Sequence, residues 1–225
     1  ERIERRTYRV LLVDDHTVLR EGLARLLDGY EDVDLVGQAE DGVRLMKDMP
    51  DLEALLDRAV AKGMFGTKMR SVVDAASPSG IAGIVRQQFE VGARILAKGL
   101  VPIIEPEVTI TIPDKAEAET MLRDAILGAL EGVPEGSKVM LKLSLPSVAN
   151  HYRPLVEHPK VLKVVALSGG YTRDEANRLL AENAGMIASF SRALTEGLSA
   201  QQTQAAFDAT LDATIQSIRD ASVAG

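Results

Sequence analysis

This sequence predicts an α/β fold of TIM-barrel-like (β/α) type, and three observations predict it. Short apolar runs alternate with longer stretches of helical periodicity from residue 65 onward, and strands alternating with helices make a parallel sheet. Pro and Gly punctuate the element ends singly, and no Pro/Gly/Ser-rich linker divides the chain. The 225 residues fall slightly short of the roughly 250 of a typical eight-stranded barrel. One domain over 1–225 is therefore expected, incomplete or altered in strand count.

The elements follow in order. Tyr8–Val13 is a β-rich run closed by Asp14 and Asp15, and Val18, Leu19, Leu23, Leu26 and Leu27 then recur at helical spacing. Residues 33–36 form a second, weak strand, so the opening reads as a β-α-β unit. Asp51 precedes an amphipathic helix with Leu52, Leu55, Leu56 and Ala59 on one face. Strands are expected at 65–73, 100–110, 138–145, 161–168 and 187–191, and helices at 80–98, 114–130, 173–182 and 201–221. That makes seven strands. A short strand at 42–46 or an open seam takes the place of the eighth. An open doubly wound sheet, with its ligand at a switch in strand order, fits the same periodicity.

Composition narrows the function. Hydrophobic residues make up 46% and charged residues 26%, enough to bury a core and too apolar for a disordered chain. With 26 basic against 33 acidic side chains the net charge is −7, which argues against a nucleic-acid partner held by a broad basic surface. The absence of Cys excludes disulfides, thiolate zinc sites and thiol nucleophiles. Three scattered His disfavour a histidine-rich metal site. No apolar run approaches the ~20 residues of a membrane helix, and no charged-apolar-small leader opens the chain. A cytoplasmic protein without a membrane partner is expected. The opening on Glu1 instead of Met reads as processing, trimming or a tag.

The informative positions are polar residues that interrupt otherwise apolar strands, because side chains alternate between faces. In 138–145, Val139, Leu141, Leu143 and Leu145 point one way and Met140, Lys142 and Ser144 the other. Lys142 is either a lysine snorkelling to water from a strand end or a desolvated amine that attacks a carbonyl. Glu105 and Glu107 share a face of 100–110, where carboxylates are costly unless they meet cations or transfer protons. Lys68 and Arg70 share a face of 65–73 in the same way. Two cations and two carboxylates facing one interior suit acid–base chemistry on an anionic substrate, with a structural ion-pair cluster as the rival reading. Ser168, Gly169 and Gly170 end one strand, and Ser189 and Arg192 close the next. Glycines that admit the backbone to an oxyanion, next to a guanidinium, make a candidate phosphate site.

These residues carry a resemblance. From about residue 42 to the end the chain closely resembles bacterial class I fructose-bisphosphate aldolases, through Phe-Gly-Thr-Lys-Met-Arg-Ser (65–71), Val-Pro-Ile-Ile-Glu-Pro-Glu-Val (101–108), Met-Leu-Lys-Leu (140–143), Leu-Ser-Gly-Gly-Tyr (167–171) and Ala-Ser-Phe-Ser-Arg-Ala-Leu (188–194). The resemblance implies that Lys142 forms a Schiff base with a ketose carbonyl and that Glu105 shuttles protons, supported by Glu107. It implies that Lys68 and Arg70 hold hydroxyls and one phosphate of a phosphorylated sugar. Ser168, Gly169, Gly170, Ser189 and Arg192 would hold the other phosphate. It implies neither a metal nor an organic cofactor.

Residues 8–23 and 32–42 instead resemble the opening of a response-regulator receiver domain, which is flavodoxin-like, with Asp14 and Asp15 in the place of its Mg²⁺-holding acids. Lys47 stands where that family's phosphoacceptor is expected, so phosphotransfer signalling is disfavoured. The chain reads as a chimera, 1–41 receiver-like and 42–225 aldolase-like. The aldolase family also draws an aspartate from its first strand and a lysine from its third. Asp14 matches the aspartate by position only, and nothing visible matches the lysine. A class I aldolase-type lyase of reduced activity is the leading expectation. A non-catalytic α/β scaffold is the second and a signalling module the third. Seven strands would leave an open edge, which invites pairing with a second copy.

Overall fold

The computed structural model describes Tyr8–Val13, Val33–Ala39 and residues 43–225. Tyr8–Val13 (β1) and Val33–Ala39 (β2) pair in parallel, Tyr8 opposite Val33. The helical pattern between them, with Asp14 and Asp15, lies outside the described residues.

The rest is a curved parallel wall with helices packed on its outer side. Val43–Arg44 (β3) leads to the helix Leu52–Ala61 (α1). The first wall strand comes in two pieces, Gly66–Lys68 (β4) and Ser71–Val73 (β5), and so does the second, Val101–Ile104 (β6) and Pro106–Val108 (β7). Both pieces keep one register, Lys68 opposite Ile103 and Ser71 opposite Pro106. Backbone bonds from Met69 to Ile103 and from Ser71 to Glu105 carry the pairing across the gap. Val139–Ser144 (β8), Val161–Leu167 (β9) and Ile187–Ala188 (β10) continue the wall in parallel.

The helices return the chain along the outer face. Pro78–Ala97 (α2) starts on a Ser77 cap that accepts from Gly80 N–H, with Pro at its first position. It lays Ile81, Ile84, Val85, Val91 and Ile95 on the sheet. Lys115–Leu130 (α3) buries Ala118, Leu122, Ile126 and Leu130. Arg153–Val156 (α4) is a single turn, and Arg173–Ala181 (α5) is capped by Thr172. Arg192–Thr195 (α6) is another turn, and Gln204–Ala224 (α7) closes the chain over α5 and β10. Among the described residues no helix is long and apolar enough to cross a membrane.

Three expectations change. The expected strand at 42–46 forms only as β3, and it runs antiparallel to β5, so it supplies no eighth parallel strand. The expected strand at 187–191 shortens to Ile187–Ala188, because Phe190 turns into the core and Arg192 starts a turn of helix. Leu55 is half exposed, while Leu52 and Leu56 carry the buried face of α1 with Ala59 partly buried beside them. The fold is α/β with a parallel, barrel-like wall, and the strands described do not close into a ring.

Candidate active site

Alternation along the strands sorts the wall into two faces. Met69, Ser71 and Val73, with Ile104 and Val108, are buried under the helices, while Lys68, Arg70, Glu105, Glu107, Lys142 and Ser144 stand on the other face. The register that sets Ile104 opposite Leu141 also brings Glu105 beside Lys142 on neighbouring strands. Glu105 Oε1 lies 3.1 Å from Lys142 Nζ and Glu105 Oε2 lies 2.6 Å from Lys68 Nζ. One buried carboxylate therefore bridges two amines.

Lys142 keeps only 15% of its side chain exposed, which disfavours the snorkelling reading. Lys68, at 43%, opens toward solvent. Glu107 was expected to support Glu105, and its carboxylate is instead engaged by Arg70, Nε at 2.6 Å and a terminal nitrogen at 2.5 Å. Ser144 donates to the Val108 carbonyl at 2.7 Å, tying β8 to the end of β7.

The candidate phosphate residues gather at the ends of β9 and β10. Gly169 and Gly170 both have positive φ, 61° and 110°, the left-handed region that glycine enters without strain. The turn is closed by Tyr171 N–H donating to the Ser168 carbonyl at 2.9 Å. A Cβ on Gly170 would stand 3.7 Å from a terminal nitrogen of Arg192, so the guanidinium lies against this turn. Gly170, Tyr171 and Arg192 line a cleft of about 360 Å³ with Thr172, Thr195 and Glu196. Ser168 is buried, and Ser189 is half-buried with its N–H given to the Ala166 carbonyl at 2.7 Å. Both glycines also lean on Ile110, which follows β7. The end of β9 thus curls back toward the end of the strand two places away, as a barrel wall does.

Sequence reasoning missed two groups. Gln88 is fully buried on α2 and its Oε1 accepts the Glu105 N–H at 2.9 Å; the available signal was one amide in an otherwise apolar helical stripe. Lys115 and Glu119 pair in the interior, where Lys115 also donates to the Leu145 carbonyl at 2.9 Å and to Ser147 Oγ at 3.1 Å. They hold the segment that follows the Lys142 strand, and an i, i+4 Lys–Glu pair reads in sequence as an ordinary surface pair.

Comparisons with known proteins find relatives for most of the chain. No family model matches the chain. A protein of Synechocystis named fructose-bisphosphate aldolase class 1 is 55% identical over 188 residues, 84% of this chain and 63% of its own length. One of the same name from Porphyromonas gingivalis is 54% identical over 182 residues, 81% of this chain and 61% of its own. Most of this chain is thus similar in sequence to class I fructose-bisphosphate aldolases. The chain spans about three-fifths of the length of these relatives. In structure it is similar to a fructose-bisphosphate aldolase from Plasmodium falciparum, solved in complex with TRAP and a small-molecule inhibitor, with a TM-score of 0.60 at 19% identity over 96% of this chain and 76% of that one. That likeness concerns the fold. In the aldolase-like region, Lys142, Glu105 and Lys68 form one connected group, and Arg192 with the Gly169–Gly170 turn forms a second.

Proposed function

We propose that the chain is a class I aldolase-type lyase that reversibly cleaves fructose 1,6-bisphosphate to dihydroxyacetone phosphate and glyceraldehyde 3-phosphate through an imine on Lys142. The contact of Glu105 with both Lys142 and Lys68 carries the reading. Proton transfer from Lys142 to Glu105 frees a lone pair, and the amine adds to the C2 carbonyl. Glu105 then returns a proton to the departing hydroxyl, which leaves as water and gives the iminium. The C3–C4 electron pair flows into that iminium as the C4 hydroxyl proton leaves to a base, forming an enamine and an aldehyde. Protonation and hydrolysis of the enamine restore Lys142.

In this reading Arg70 and Lys68 meet hydroxyls and one phosphate. Ser168, Gly169, Gly170, Ser189 and Arg192 meet the other. The base for the C4 hydroxyl is the weak point. The aldolases that this chain resembles draw an aspartate from their first strand, Asp14 lies outside the described residues, and the third-strand lysine has no counterpart. Turnover is therefore expected to fall well below that of the full-length relatives. The test is borohydride reduction in the presence of dihydroxyacetone phosphate. An adduct on Lys142 supports the imine, and a folded protein that gives none defeats it.

A second reading, a non-catalytic scaffold, is favoured by the pairing of both cations: Lys68 with Glu105 and Arg70 with Glu107 satisfy one another without substrate. The same trapping experiment decides between the two. Our reading further includes one α/β domain over 1–225, cytoplasmic, with no nucleic-acid or membrane partner. The parallel pairing of β1 with β2 supports a β-α-β segment over 1–41, which we read as receiver-like and without phosphotransfer activity. Met64 and Phe65 are exposed beside β4, which ends its sheet among the described residues, and this supports a homo-oligomer, testable by light scattering across a concentration series.

A further inference from the structure

Gln88 sits in the middle of the stripe that α2 turns onto the wall, between Ile84 and Val85 on one side and Val91 and Gly92 on the other. A Met or Leu would fill such a place without a polar group. The buried side-chain nitrogen of Gln88 has no hydrogen-bond partner, and an unpaired buried amide donor costs about 1–3 kcal/mol. Packing alone therefore does not account for glutamine here.

What Gln88 does supply is an acceptor at the break in the second wall strand. Glu105 belongs to neither β6 nor β7, and the next residue, Pro106, has no N–H to continue the ladder. The Glu105 carbonyl is held by Ser71 N–H at 3.0 Å, and the Glu105 N–H by Gln88 Oε1 at 2.9 Å. The backbone of Glu105 is thus clamped on both sides, once from the neighbouring strand and once from the helix behind. Its carboxylate reaches Lys142 and Lys68 from that fixed base.

We infer that Gln88 is a positioning residue for the Lys142 chemistry, acting through the backbone of Glu105 to hold its carboxylate within proton-transfer reach of the amine. The inference rests on the imine reading proposed above. A displacement of about 1 Å in such a contact can cost as much as a hundredfold in rate.

The experiment is borohydride trapping of dihydroxyacetone phosphate on the full chain across a pH series, in wild type, Gln88→Met and Gln88→Glu. Met matches the glutamine in length and removes the acceptor. Protonated Glu keeps an acceptor in the same place. Expected are labelling of Lys142 in wild type, trapping slower by on the order of tenfold or more in Gln88→Met with a displaced pH dependence, and recovery of rate and pH dependence in Gln88→Glu. A wild type that never traps overturns the imine reading and this role with it. A wild type that traps, with Gln88→Met equal to it in rate and pH dependence, overturns the role of Gln88 alone. If Gln88→Met does not fold, Gln88→Asn replaces it. Its shorter arm withdraws the acceptor and must displace the pH dependence that Gln88→Glu retains; an unmoved profile overturns the role.

Discussion

The Glu105 carboxylate meets the Lys142 amine at 3.1 Å across two neighbouring parallel strands, and its second oxygen holds Lys68 at 2.6 Å. An amine cannot add to a carbonyl while it carries its proton, so a carboxylate in contact with it is the natural acceptor. Glu105→Gln keeps the shape of the side chain and removes the base. Trapping of dihydroxyacetone phosphate on Lys142 is expected to slow by roughly 10²–10⁴-fold, the usual worth of a positioned acid–base group. Quenched-flow borohydride reduction with peptide mapping measures it, and a Gln variant that traps at the wild-type rate would remove Glu105 from the chemistry.

Much of that geometry was legible before any coordinates. Alternation along 138–145 put Lys142 on the face opposite the leucines, and the spacing of Glu105 and Glu107 put both on one face. Which cation meets which carboxylate was not legible, because pairing depends on inter-strand register. Arg70 goes to Glu107 and Lys68 to Glu105 because both pieces of the first strand share one offset with the second. Strand direction was equally hidden at β3: two residues carry no periodicity, and their antiparallel pairing with β5 is decided by how the chain enters the wall. Gln88 escaped because a single polar residue in an apolar helical stripe is silent until its partner, a backbone N–H on another element, is known.

Gly66 sits where the backbone of the neighbouring strand leaves no room for a side chain. It is the first residue of β4, and a methyl group built on it would run into the carbonyl oxygen of Val101 on β6. A backbone carbonyl cannot swing aside as a flexible side chain can. Gly66→Ala is expected to destabilise the fold by roughly 1–3 kcal/mol, the usual cost of overpacking. It should also slow trapping, since β4 delivers Lys68 to Glu105. Urea denaturation measures the first effect, and a variant as stable as wild type would show that the two strands separate freely.

Lys115 and Glu119 form an ion pair in which both side chains are almost fully buried. Glu119 also accepts the Ser147 N–H at 2.9 Å, so the pair fastens the segment after β8 to the start of α3. Removing one partner leaves an uncompensated buried charge. Lys115→Met is expected to cost ~3–5 kcal/mol. The double variant Lys115→Met with Glu119→Leu should cost less than that single change, because no charge remains buried alone. A double-mutant cycle in urea checks this, and simple additivity of the two substitutions would show that the pair is not coupled.

Tyr152 lies fully buried against the ring of His151, and its hydroxyl has no hydrogen-bond partner. Burial first, and the Glu119 carboxylate second, push its phenol well above the ordinary tyrosine range. In the unfolded chain the phenol loses its proton near pH 10, while the folded protein still holds it. Above that pH the folded state binds the extra proton, so stability falls as pH rises. Below it both states are protonated and the contribution is flat. Tyr152→Phe removes the titrating group together with an unpaired buried hydroxyl, so at neutral pH it should stabilise the fold, by roughly 1–3 kcal/mol. Melting temperature measured from pH 7 upward should therefore drop less steeply past roughly pH 10 in the Phe variant than in wild type. Parallel curves for the two proteins would show that Tyr152 ionises in the folded state as readily as in the unfolded one, and that its burial imposes no penalty on the phenolate.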